Sequence, residues 1–217
     1  MDLRYKCAVV DHDDTAVDST RLIHYPIYRE LLGEMRPDYE IMSLDGFINM
    51  NRNQGIKRHY VEDLNFTEDE WKYAFELWLN HPLRKTIPSF YEGFIEIFEK
   101  FSSANGIFAV VSHSDENAIR MHYSNKGNLM PKFIVGANGN PDYNKPNSWP
   151  LDKIMEMYDV GSRDIIVVDD LEPGINMAEK RNVDTFGVGW SHENPDSFKE
   201  RCTFYSDNIE DLEGVLF

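Results

Sequence analysis

Three runs of uninterrupted apolar residues restrict the fold of this 217-residue chain more than any other feature. They are Cys7-Ala8-Val9-Val10, Ile107-Phe108-Ala109-Val110-Val111 and Ile165-Ile166-Val167-Val168. Each is short and lacks the polar alternation of a strand with one face in water, so each reads as a strand buried on both faces. Shorter strand candidates follow at Phe133-Ile134-Val135, Phe186-Gly187-Val188 and Thr203-Phe204-Tyr205. Helical patterns separate them: Phe94, Ile97, Phe98 and Phe101 on one face, a helix from about Asp115, another over Leu151 to Tyr158, and a last one over Ile209 to Leu216. Strands alternating with helices imply a parallel sheet with helices on both faces. Ser89 and Glu92 have the spacing of a capping box at the start of the Phe94 helix.

The stretch from Ser19 to about His81 has a different character. Ile23, Ile27 and Leu31 recur at helical spacing, with Pro26 positioned to kink or reset the helix. Thr67 and Glu70 form a second capping-box pattern, followed by Trp71, Phe75, Trp78 and Leu79 as one apolar face expected to pack against other helices. No strand pattern occurs here, so the segment reads as a helical module inserted into the sheet-forming chain.

The three strong strands end in polar residues. The first delivers Asp11 and Asp13, the second Ser112, and the third Asp169 and Asp170. The first cluster by itself reads either as a solvated acidic turn or as a site, because crowded carboxylates need a cation, a proton or a cationic side chain among them. In a parallel sheet the carboxyl ends of the strands share one edge, so all these groups can converge. Oxygen ligands of this kind suit a hard cation such as Mg²⁺. Ser112, followed by a helix, offers an anion a hydroxyl and backbone N–H groups, and Lys145, in a loop before the third strand, could complete a phosphate site. Two carboxylates separated by one residue suggest a nucleophile and a proton shuttle.

Composition narrows the partners. Against 38 Asp and Glu stand 22 Lys and Arg, for a net charge of -16. Such a surface repels nucleic-acid backbones and anionic lipid, so neither is an expected partner. No apolar stretch is long enough to span a membrane, and no signal-peptide pattern is visible. The two cysteines, Cys7 and Cys202, form neither a metal spacing nor a disulfide framework, so the cytoplasm is the expected compartment.

Taken together, Asp11-x-Asp13-x-Thr15 after an apolar strand, Ser112 at the end of the second, Lys145 before Pro146, and Asp169-Asp170 followed by Gly174 resemble the haloacid dehalogenase superfamily across essentially the whole chain. The resemblance implies an α/β fold: a Rossmann-like three-layer α/β/α core with a parallel sheet at residues 1–17 and 87–217, and an inserted all-α cap domain at 18–86. It implies a Mg²⁺-dependent phosphatase acting on a small phosphorylated metabolite. Asp11 would be the nucleophile, Asp13 the acid and base, and Thr15 would orient the loop. Ser112, His113 and Lys145 would hold the phosphate, and Asp11, Asp13, Asp169 and Asp170 would bind the metal. A sugar phosphomutase on the same core is the alternative, and a catalytically silent binding protein a more distant one. The expected assembly is a monomer or homodimer. Many capped relatives have Gly where this chain has Asp14.

Other polar residues keep two readings. His12 and His113 either line the site or serve only as strand ends. Arg52, Asn53 and Arg58 lie in the basic part of the inserted module and either grip a second anionic group on the substrate or form a solvated helix face. The remaining histidines show no ligand spacing.

Overall fold

The computed structural model describes residues 2–124, 129–137 and 140–217. The chain forms two compact units, one of Met1–Asp18 with Ser89–Phe217 and the other of Ser19–Pro88. The first unit holds β1 (Cys7–Val10), α5 (Phe94–Ser103), β2 (Ile107–Asp115), α6 (Glu116–Ser124), β3 (Phe133–Ala137), α7 (Trp149–Tyr158), β4 (Ile165–Asp169), α8 (Glu172–Glu179), β5 (Asp184–Val188), α9 (Asp196–Lys199), β6 (Phe204–Ser206) and α10 (Glu210–Leu216). The second holds α1 (Tyr25–Met35), α2 (Leu44–Asn53), α3 (Ile56–Arg58) and α4 (Glu68–Asn80). None of the described helices is long and apolar enough to cross a membrane.

The six strands form one parallel sheet in the order β3-β2-β1-β4-β5-β6. The three apolar runs are its central strands, and alternate residues face opposite helical layers. Ala8, Val10, Phe108, Val110, Ile166 and Val168 pack with Phe94, Phe98, Phe101, Ile119 and Leu212 of α5, α6 and α10. Cys7, Val9, Ala109, Val111, Ile165 and Val167 pack with Leu151, Ile154, Met177 and Ala178 of α7 and α8. Burial on both faces is why these runs are apolar throughout. Each fully buried ring, such as Phe98 or Phe108, contributes about 1.5–3 kcal/mol.

This strand order determines where chemistry can occur. The chain builds outward from β1 through β2 to β3, then crosses back to lay β4 on the other side of β1. The connections diverge at this reversal and leave a crevice beyond the strand ends. Val10 pairs with Val168 across β1 and β4, and the Asp11 N–H donates to the Val168 carbonyl at 2.9 Å. The two acidic strand ends are therefore set side by side at the crevice.

Local expectations are revised in two places. The Ser89/Glu92 capping box does not form. Helix α5 starts after Gly93, which takes a left-handed φ of 86°, and the Ser89 carbonyl instead accepts the Asp18 N–H at 3.0 Å. Strand β2 runs through Ser112-His113-Ser114 to Asp115, where the helix is expected to start, and α6 begins at Glu116. On α4, Phe75 and Leu79 are exposed, while Ala74 takes the buried position and Trp71, Leu77 and Trp78 pack at the edges of the helical cores. The Thr67/Glu70 capping box is present in full. At Pro26 the helix changes its hydrogen-bond pattern without breaking: a single π-turn over Thr20–His24 runs directly into α1, with His24 and Tyr25 both helical and the proline in the first turn of α1.

Candidate active site

Asp11 follows β1 and is 6% exposed. One of its carboxylate oxygens, Oδ1, accepts the N–H of His12 at 2.7 Å and pairs with Lys145 Nζ at 2.8 Å. The same ammonium pairs with Asp169 Oδ2 at 2.7 Å. Asp170 takes a different partner: its Oδ1 accepts the Thr15 hydroxyl at 2.8 Å. Two buried carboxylates thus share one buried ammonium, and a third, Asp170, is held by a neutral hydroxyl.

Backbone packing explains how the loop after β1 is held. The Ala16 and Val17 N–H groups both donate to the His12 carbonyl, and the Asp14 N–H donates to the Val17 carbonyl. Closing this tight turn places Asp14 at φ 55°, the left-handed region where glycine is at ease and Asp is among the better-tolerated alternatives. Trp190 Nε1, beyond β5, donates to the Thr15 carbonyl at 3.1 Å and ties the loop from outside. Asp13 accepts a hydrogen bond from the Ser114 hydroxyl.

A second clamp positions the lysine. The buried Asn144 side chain donates to the Ser112 carbonyl at 2.7 Å and the Gly136 carbonyl at 3.3 Å, and its Oδ1 accepts the Lys145 N–H at 2.7 Å. His113 Nε2 donates to the Lys145 carbonyl at 2.8 Å. Ser112 is buried, with its Oγ accepting the Ser114 N–H at 3.2 Å. At β4, the Leu171 N–H donates to Asp169 Oδ1 at 2.9 Å. Gly174 lets α8 approach this carboxylate, since a Cβ there would run into the Asp169 side chain.

The sequence-derived residues fall into two sets. Lys145 bonds Asp11 and Asp169 directly, Thr15 bonds Asp170 directly, and Ser112, His113 and Asp13 are tied in through Asn144, the Lys145 backbone and Ser114. Arg52, Asn53 and Arg58 lie in the helical unit. Arg52 donates to Asn49 Oδ1 at 3.3 Å, Asn53 ends α2 at the surface, and Arg58 forms an exposed 2.7 Å ion pair with Glu62 one turn away. The His12 ring is buried against His122, Tyr123 and Phe90, with Nε2 2.8 Å from His122 Nδ1.

Four residues were not anticipated. Ser114 and Asn144 adjoin named residues, so adjacency was their signal. Trp190 and His192 follow β5 and had none. His192 has no ligand spacing along the sequence, and the fold alone brings its Nε2 to 3.6 Å from Asp170 Oδ2 and groups it with Asp14 and Asp170.

The electrostatics favour a cation. Burial pushes Asp169 up to about 7; Lys145 opposes this and Asp11 adds to it. Asp170 is raised well above the carboxylate range by burial first, then by Asp11, Asp169 and Asp14. Burial depresses Lys145, but Asp11 and Asp169 outweigh it and hold the ammonium charged. Oxygen atoms of Asp11, Asp169 and Asp170 lie within 4.8 Å of one another, a donor set that could hold a divalent cation.

A carboxyl raised above its unfolded value stabilises the metal-free fold at acid pH, and that contribution is lost as pH rises through its folded value. A cation displaces these protons, so its affinity rises with pH. The increase in melting temperature on adding Mg²⁺ is expected to be larger at about pH 8 than at about pH 5.5. Differential scanning calorimetry at both values, with Asp170→Asn as control, checks this.

Comparison with known proteins decides the family. The sequence profile of the haloacid dehalogenase-like hydrolases matches residues 8–188, most of the chain. The chain belongs to this family of enzymes. No curated protein matches it closely. Solved structures share the fold at low identity. A predicted phosphoglycolate phosphatase from Haemophilus somnus 129pt superposes with a TM-score of 0.80 at 17% identity, covering 98% of each chain. A predicted phosphatase from Clostridium acetobutylicum gives 0.76 at 18%, covering 97% of each. A haloacid dehalogenase-like hydrolase from Streptococcus pneumoniae gives 0.76 at 14%, covering 97% of this chain and 98% of its own.

Proposed function

We propose that this haloacid dehalogenase-like hydrolase is a Mg²⁺-dependent phosphatase that cleaves a small phosphorylated metabolite through an aspartyl-phosphate. The observation that carries the reading is the buried Asp11 carboxylate, oriented by the His12 N–H and Lys145 through the same oxygen. The other oxygen, Oδ2, is then the one to attack phosphorus while the leaving oxygen departs in line. Asp13 donates a proton to that leaving oxygen and then takes one from the water that hydrolyses the intermediate. Its hydrogen bond from Ser114 holds the carboxyl group in position. Ser112, His113 and Lys145 receive the phosphoryl oxygens, with the ammonium balancing the charge that spreads over them. Thr15 fixes Asp170. Asp11, Asp13, Asp169 and Asp170 would hold Mg²⁺, which supplies charge neutralisation for the phosphoryl group when bound.

Two of the similar structures support a phosphate ester as the substrate class by their descriptions. Substrate choice is assigned to the helical unit through Arg52, Asn53 and Arg58. The free cysteines, Cys7 and Cys202, suit a reducing cytoplasm, and a monomer or homodimer is the assembly inferred.

The test is steady release of inorganic phosphate from a generic aryl phosphate. Release should require Mg²⁺ and stop with chelator. Full turnover after exhaustive chelation would refute the metal-dependent mechanism, and isomer formation without phosphate release would favour the phosphomutase.

A further inference from the structure

Asp14 and His192 are left unused by this mechanism, yet they meet at the same buried carboxylate. Donor atoms of Asp14, Asp170 and His192 lie within 4.8 Å of one another. This group shares only Asp170 with the Asp11, Asp169 and Asp170 set. The shared carboxylate is available to both: Lys145 bonds Asp11 and Asp169, whereas Asp170 takes the neutral Thr15 hydroxyl and faces His192.

The imidazole is built into the site and not merely near it. Its side chain is 6% exposed. Nδ1 lies 3.0 Å from the Ser191 hydroxyl, a contact of the kind that orients a ligating histidine through its other ring nitrogen. With Nδ1–H donating to that hydroxyl, Nε2 presents its lone pair toward Asp170. Nε2 stands 3.6 Å from Asp170 Oδ2, beyond a hydrogen bond. Two donors each about 2.1 Å from one ion stand roughly 3–3.5 Å apart, so a small shift would seat an ion between them.

We infer that Asp14, Asp170 and His192 form a second cation seat beside the oxygen-only one, and that it takes a divalent first-row transition ion. One nitrogen and two carboxylates match the ligand preference of Mn²⁺, Co²⁺ or Zn²⁺, whereas Mg²⁺ favours oxygen alone. Asp170 bridges the two seats. This assigns a role to Asp14 that its strained backbone position does not otherwise explain. The inference rests on donor geometry and stands apart from the phosphatase reading, so its readout is ion binding and not turnover.

The experiment uses the metal-stripped full chain. Equilibrium dialysis against Co²⁺ should find two ions per chain, and against Mg²⁺ one. Pulsed electron paramagnetic resonance of bound Mn²⁺ should show coupling to a nitrogen nucleus. His192→Ala should abolish that coupling and weaken the second ion about tenfold or more, at least the loss that removing an outer partner already causes. Asp14→Gly should weaken the same ion, and it tests the seat without endangering the fold because φ there suits glycine. A single Co²⁺ per chain overturns the inference. So does absence of nitrogen coupling, its persistence in His192→Ala, or wild-type affinity in both variants.

Discussion

Asp11→Asn is expected to abolish phosphate release, by on the order of 10⁴-fold or more in kcat, as removal of a covalent nucleophile does. The amide keeps the size and shape of the carboxylate, so the fold should persist. Lys145 keeps its 2.7 Å partner Asp169, and Asn can still accept the His12 N–H. Far- and near-ultraviolet circular dichroism should match wild type, and acid quenching of a turnover with labelled substrate should trap phosphate on wild type but not on the variant. Full turnover by Asp11→Asn would discard the aspartyl-phosphate mechanism outright.

Lys145→Met carries the second-largest effect, on stability as well as rate. The ammonium is 3% exposed and is paired with two carboxylates that are 6% and 2% exposed. Replacing it with an apolar side chain of similar length leaves Asp11 and Asp169 buried around no counter-charge. Breaking a buried pair in this way costs about 3–5 kcal/mol. The sign with pH follows from Asp169, whose proton is held up to about 7. Losing the lysine raises that value further, so the loss of stability should be larger at about pH 8 than at about pH 5, where the Asp169 carboxyl is neutral and the Asp11 pair alone is broken. Urea denaturation at both values measures this. Mg²⁺ should restore much of the stability, since it supplies the missing charge, but not the activity, since it cannot replace the ammonium on the phosphoryl oxygens. Equal loss of stability at both pH values would show that the Asp169 charge contributes nothing to the effect.

The parts of the fold legible in the sequence are those in which local pattern and tertiary burial ask for the same thing. Residues 7–10 and 165–168 are apolar because both faces are covered, and no other element type suits runs so short. The Thr67 cap formed because its box is satisfied within four consecutive residues. The box at Ser89 has the same chemistry and failed because the Ser89 backbone is engaged by Asp18, far away in sequence, and Gly93 makes a later start cheap. The exposed Phe75 shows a similar limit: helical spacing placed it on the apolar face, but the neighbouring Ala74 is what the core admits.

For the candidate site, the sequence alone determined the chemical inventory. Carboxylates, a hydroxyl and a lysine at the ends of apolar strands, in one order along the chain, are legible because a buried strand must deliver its last residues to one edge of the sheet. Only the tertiary structure decided who touches whom. It set Asp11 and Asp169 on one ammonium, gave Thr15 to Asp170, used Asn144 to hold the lysine backbone, and brought His192 to Asp14 across 178 positions of chain. Periodicity encodes which face of an element is buried, and it carries no information about which loops meet. That is settled by the strand order, which placed β4 and β5 beyond β1 and so brought their loops to the crevice where β1 ends.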